Sequence, residues 1–177
     1  VYFSDPPYGL PGAYAAPRKE TPQQGVYRIK NGVTELLSTD LGGPNGIAFS
    51  PDERYLYVSN WDIRDIHHTK TLWRYELAPD GTLKNGKVFF DFNLTDDNEA
   101  LDGVKVDRAG NLFVSAPGGV WIISPDGKYL GKIICPERPA NMAWGDVDGK
   151  TLYLTAHTGL YKIRTLTGGS LAAKVKM

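Results

Sequence analysis

One short pattern recurs along this chain and leaves few folds open to it. An apolar run that opens on a side-chain oxygen is followed by a turn and then by a second β-rich run. Pro44-Asn45-Gly46-Ile47-Ala48-Phe49-Ser50-Pro51-Asp52 leads into Leu56-Tyr57-Val58-Ser59. Leu101-Asp102-Gly103-Val104-Lys105-Val106-Asp107 leads into Leu112-Phe113-Val114-Ser115, and Ala140-Asn141-Met142-Ala143-Trp144 into Leu152-Tyr153-Leu154-Thr155. Asn45, Asp102 and Asn141 stand 11, 10 and 11 residues ahead of their second runs. If the repeats are set around an axis, these side chains converge on it. Convergent amide and carboxylate oxygens are what a hard cation needs.

Each second run has a third behind it: Gly25-Val26-Tyr27-Arg28-Ile29, Thr71-Leu72-Trp73-Arg74-Tyr75, Gly119-Val120-Trp121-Ile122-Ile123 and Gly159-Leu160-Tyr161-Lys162-Ile163. Fourth runs follow at 33–37, 87–92 and 129–134. Period-2 alternation and β-branched or aromatic content mark these as strands. Ser50-Pro51-Asp52 and Pro125-Asp126-Gly127 supply turns between them. Short strands in sets of four, recurring at roughly 40–55 residues, are the mark of propeller blades. A β-sandwich is the competing all-β architecture, but it does not explain a four-run register. The expected fold is therefore an all-β propeller of four-stranded antiparallel blades. Trp73, Trp121, Tyr27 and Tyr161 fall in third strands and are expected between blades. Inserts at 6–24 and 60–70 fall between second and third runs, on one rim, which in propellers borders a binding face.

The chain of 177 residues is long enough for one sizeable core, and 1–177 is read as a single domain. It carries 20 basic and 20 acidic residues with no basic run, which argues against nucleic acid or an anionic membrane as partner. No apolar stretch is long enough to span a bilayer. A lone cysteine, Cys135, excludes an internal disulfide and disfavours a cysteine zinc site. Val1-Tyr2-Phe3-Ser4 looks like a second run without its first. The expectation is a partial propeller whose N-terminal blades lie outside this sequence, so compartment and oligomeric state are not readable.

Tyr2-Phe3-Ser4-Asp5-Pro6-Pro7-Tyr8-Gly9-Leu10, Gly43-Pro44-Asn45-Gly46-Ile47-Ala48-Phe49-Ser50-Pro51-Asp52 and Asp102-Gly103-Val104-Lys105-Val106-Asp107 together resemble the SMP-30/gluconolactonase/luciferin-regenerating-enzyme family. The segment Asp5–Pro6–Pro7–Tyr8–Gly9–Leu10 points to its bacterial gluconolactonase branch. The resemblance implies a six-bladed propeller, of which about four blades are here, with a divalent metal in the channel. It implies hydrolysis of a sugar lactone, or in some relatives of a phosphotriester. Asn45 and Asp102 match the family's metal ligands in its Asn-Gly and Asp-Gly motifs, and Asp102 its water-activating base. The family's first-blade Glu and a further Asn have no counterpart in this sequence, so half of a metal site is expected. A propeller that binds without chemistry is the reading from another class.

Oxygen ligands of this kind favour Ca²⁺, with Mg²⁺, Mn²⁺ and Zn²⁺ as alternatives. Taken singly, Asn-Gly and Asp-Gly are ordinary turn dipeptides; the shared register and the resemblance turn them into candidate ligands. Asn141 keeps the register but matches no family ligand, so it is assigned to the channel wall or the substrate, with capping as the plain alternative. His157 resembles the channel histidine of the diisopropyl-fluorophosphatase-like relatives, whose Cys-Pro…Asn pattern Cys135-Pro136 and Asn141 echo. It is a candidate for proton transfer or for shaping the pocket. Tyr8 and Asn60 are rim candidates for contact with a sugar, and Tyr8 serves equally as a packed turn residue. His67-His68 lies in a polar insert and is read as a solvated loop.

Overall fold

The computed structural model describes residues 1–21, 23–64, 68–93 and 99–170. Among them run fourteen strands in four antiparallel sheets, each built from consecutive strands. The first sheet holds β1 (Tyr2–Asp5), β2 (Gly25–Lys30) and β3 (Val33–Ser38). The second holds β4 (Pro44–Phe49), β5 (Tyr55–Asp62), β6 (Thr69–Leu77) and β7 (Leu83–Asp91). The third holds β8 (Val104–Val106), β9 (Leu112–Ala116), β10 (Gly119–Ile123) and β11 (Tyr129–Ile133). The fourth holds β12 (Pro139–Gly145), β13 (Thr151–Ala156) and β14 (Leu160–Arg164). These are blades of a β-propeller. Among the described residues the first and last have three strands rather than four.

Three apolar clusters join the four sheets in sequence. Val26 of the first sheet meets Leu56, Val58 and Tyr75 of the second. Tyr57 and Leu72 of the second meet Val104, Leu112 and Val114 of the third. Phe113 and Val120 of the third meet Met142, Leu152 and Leu154 of the fourth. A sheet flanked on both faces buries both faces of its middle strands. Leu56–Ser59 and Leu112–Ala116 are accordingly buried at every position, so these runs are continuously apolar rather than alternating. Tyr27 and Trp121 are buried, and Trp73 and Tyr161 pack against the clusters, as expected of inter-blade aromatics.

The turns follow from local chemistry. Ser50 Oγ donates to Asp52 Oδ1 at 2.6 Å and accepts from Tyr55 N at 3.0 Å, closing the chain between β4 and β5. Ser124, Asp126 and Lys128 repeat the arrangement after β10.

Two expectations are corrected. β5 continues through Asp62, so Asn60 and Trp61 belong to a strand and not to the rim insert. The opening run of the third repeat forms strand only from Val104, which leaves Asp102 ahead of β8. The opening strands β4, β8 and β12 still lie side by side, which brings the starts of successive blades together.

Candidate active site

Asp102 is fixed by its backbone from three directions. Its N–H donates to Ser115 O at 3.0 Å, and Ser115 N donates back to Gly103 O at 2.9 Å. From the second sheet, Ser59 Oγ donates to Asp102 O at 2.8 Å. Toward the fourth, Gly103 N donates to Ala140 O at 2.9 Å. Ser4 repeats the Ser59 latch one blade earlier, donating to Asn45 O at 2.6 Å. Ser115, fully buried, stands at the corresponding place in the third sheet, but its hydroxyl has no partner among the described residues. A polar residue closing an otherwise apolar second run was the sequence signal for these latches.

The glycines after Asn45 and Asp102 serve this close approach. Neither has a positive φ, so neither is there for a left-handed turn. A Cβ on Gly46 would run into Asp102 O and lie 2.7 Å from Val104 N. A Cβ on Gly103 would run into Asn141 Oδ1 and lie 2.9 Å from Asn141 Cα. The Asn-Gly and Asp-Gly pairs are inter-blade contacts, not turn dipeptides.

The Asp102 carboxyl opens onto a pocket of about 310 Å³ lined by Asp102, Arg138, Ala140, Thr155, Ala156 and His157. Burial raises its pKa above the ordinary carboxyl value, and Arg138, Asn45 and Lys105 each act in the opposite sense. Asn45 Nδ2 donates to Leu101 O at 3.0 Å, and the amide also stands close enough to favour the ionised carboxyl. Asn45 and Asp102 are thus neighbours, and Asp102 and His157 share a cavity.

The other candidates sit elsewhere. Asn141 Oδ1 accepts from its own chain at Met142 N, 2.9 Å, and from Lys105 Nζ, 3.0 Å. Asn60 is 5% exposed, its Oδ1 accepting from Gly43 N at 2.9 Å and its Nδ2 donating to Thr71 Oγ1 at 3.4 Å. The Tyr8 hydroxyl donates toward Gly43 O, at 3.0 Å, and toward Trp61 O. Burial pushes its phenol far above the usual range, keeping it neutral and a donor. Tyr8 and Asn60 therefore grip Gly43, two residues ahead of Asn45, instead of reaching the pocket. His68 meets Trp61 edge-on at 6.0 Å between ring centroids, and His67 lies outside the described residues.

The donor types at Asn45 and Asp102 suit a hard cation: one amide and one carboxylate, side by side. They fall short of the six to eight oxygens that Ca²⁺ takes. Among the described residues no group of three or more His, Cys, Asp or Glu gathers to supply the rest.

Residues 9–158 match the model of the family described as SMP-30/Gluconolactonase/LRE-like region. The chain belongs to this family. It is 39% identical over 176 residues to a gluconolactonase of Zymomonas mobilis, covering 96% of this chain and 48% of that protein. A solved gluconolactonase structure from Xanthomonas campestris aligns with a TM-score of 0.76 at 31% identity, over 92% of this chain and 52% of that one. A regucalcin from Agrobacterium tumefaciens, described as calcium-binding, shares the fold with a TM-score of 0.65 at 24% identity, over 81% and 49% of the two chains. The chain spans about half the length of these SMP-30/gluconolactonase relatives.

Proximity in this SMP-30/gluconolactonase chain also supplies residues that sequence reading passed over. Arg138 precedes β12 in no recognisable motif, yet lines the pocket beside Asp102. Lys105 sits in the opening run, where alternation explains it as a strand residue. Its ammonium is held by Asn141 Oδ1 and by Val104 O at 3.1 Å, and burial lowers its pKa.

Proposed function

We propose that this chain carries part of the active site of a sugar-lactone hydrolase, with Asp102 as the base that activates water. The observation behind the reading is a carboxyl whose burial raises its proton affinity, facing a pocket that it shares with Arg138 and His157. A carboxylate shifted toward neutrality is a better proton acceptor. The likeness to the gluconolactonases of Z. mobilis and X. campestris supplies the substrate class.

In this reading Asp102 accepts a proton from the attacking water, with Asn45 holding the carboxylate in its ionised form. His157, an exposed residue of the same pocket, orients the substrate or returns a proton to the leaving ring oxygen. A divalent cation, Ca²⁺ by ligand chemistry, would be held through Asn45 and Asp102 and would polarise the lactone carbonyl. Ser59, Tyr8 and Asn60 act at one remove, by fixing the backbone that carries these two residues.

The test is lactone hydrolysis followed by acid release, with a phosphotriester run alongside. Asp102→Asn should lower the lactone rate by about 10²-fold or more, in line with loss of a general base. Calorimetric titration with Ca²⁺ should show weaker binding in Asn45→Ala. A non-catalytic binding module predicts indifference to both substitutions, and an Asp102→Asn protein of undiminished rate would sink the lactonase reading.

A further inference from the structure

The pocket holds a guanidinium that makes no hydrogen bond among the described residues. Arg28, Arg54, Arg64 and Arg164 each pair with a carboxylate. Arg138 has no hydrogen bond and no ion pair among the described residues, although it lines the cavity beside Asp102. Its backbone is nonetheless well placed. Glu137 accepts from Thr158 N at 2.7 Å and Thr158 Oγ1 at 2.8 Å, which ties it to the loop carrying His157. On the other side Pro139 is buried at the start of β12. The neighbouring acid is thereby occupied, and Arg138 stands between two anchored residues at the cavity wall.

Lactone hydrolysis creates a charge at this spot. The water oxygen bonds to the carbonyl carbon, the ring C–O bond breaks, the ring oxygen takes one proton and the second proton is released. A neutral lactone becomes a hydroxy acid anion, formed in a pocket that already contains the Asp102 carboxylate. Two carboxylates at close range repel. Of the cations acting on Asp102, Lys105 is already bonded to Asn141 Oδ1 and Val104 O. A planar guanidinium with free N–H groups matches a carboxylate in a bidentate manner.

We propose that Arg138 binds the carboxylate of the hydrolysed sugar acid, so that the pocket is an aldonate site as well as a lactone site. The choice of an aldonate as ligand rests on the lactonase reading. The experiment is calorimetric titration of the full chain with sodium gluconate at low salt, using wild type, Arg138→Gln, Arg138→Lys and the charge-matched surface variant Lys128→Gln. Arg138→Gln should weaken gluconate binding by about tenfold or more. Arg138→Lys should restore part of it, and Lys128→Gln should match wild type. The KM for neutral gluconolactone should change less than the gluconate affinity. Absence of gluconate binding in wild type overturns the proposal, as does equal binding in Arg138→Gln or equal weakening in Lys128→Gln. Lactone turnover in the same samples separates the two claims. A wild type that binds gluconate through Arg138 but turns over lactone no faster than Asp102→Asn sinks the lactonase reading alone; one whose turnover depends on Asp102 and whose gluconate binding ignores Arg138 sinks this proposal alone.

Discussion

Lys105 Nζ donates to Asn141 Oδ1 at 3.0 Å, bridging the third and fourth sheets beside Asp102. The same oxygen accepts Met142 N and crowds the space over Gly103, so one side chain sets both the start of β12 and the backbone next to the candidate base. Asn141 keeps the register of Asn45 and Asp102, but its oxygen is used between blades.

That bridge should be measurable as a coupling. Asn141→Leu leaves the half-buried Lys105 ammonium with Val104 O alone and should cost about 1–2 kcal/mol, the range for a hydrogen bond to a charged group. Lys105→Met should cost less, since Asn141 retains Met142 N. The double variant should lose less than the sum of the two in urea unfolding. Strict additivity would show that the contact carries no energy.

The glycines at the junctions give a second, independent probe. Gly46→Ala drives a methyl into the Asp102 carbonyl and Val104 N, both backbone atoms, whereas Gly103→Ala mainly displaces the Asn141 side chain. Each should destabilise by about 1–3 kcal/mol as overpacking does, with Gly46→Ala the worse. An unchanged urea midpoint for Gly46→Ala would contradict the close approach of the second and third sheets.

Acid stability should be governed partly by the turn aspartates. Hydrogen bonds from Ser50 and Arg54 lower the Asp52 pKa from 3.8 to about 2. A depressed folded value means the stabilisation is present above the unfolded pKa and is lost as pH falls through the folded one. Stability should therefore decline from pH 3.8 toward about 2, and Asp52→Asn should flatten that part of the profile. A slope identical to wild type would exclude this turn as a source.

The rate profile should carry the opposite signature. Burial raises the Asp102 pKa, so with no cation bound the activity that needs its ionised form should fall with acid at a pH above the ordinary carboxyl value of 3.8, and added Ca²⁺ should move that limb down. Arg138 holds that pKa down, so Arg138→Gln should move the limb further up. A limb that stays in place on removing Arg138 would dissociate the guanidinium from the base.

Much of this molecule is legible in its order of residues. The runs at Leu56–Ser59 and Leu112–Ser115 announce strands because period and turn chemistry act over a few residues. Repetition of those runs then implies a ring of blades. The opening oxygens at Asn45 and Asp102 come out adjacent for the same reason. Asn60 was misplaced because a strand can run on past its apolar stretch when neighbouring sheets bury its polar end.

What the sequence alone determined is the blade repeat and the meeting of Asn45 with Asp102, since both follow from local periodicity. The tertiary structure decided which polar atoms remain available. Tyr8 is engaged by a carbonyl 35 residues away and Asn141 by an ammonium 36 residues away, while Arg138 has no hydrogen bond or ion pair among the described residues. Hydrogen bonds across blades depend on distance in space, and adjacency in sequence does not encode that distance.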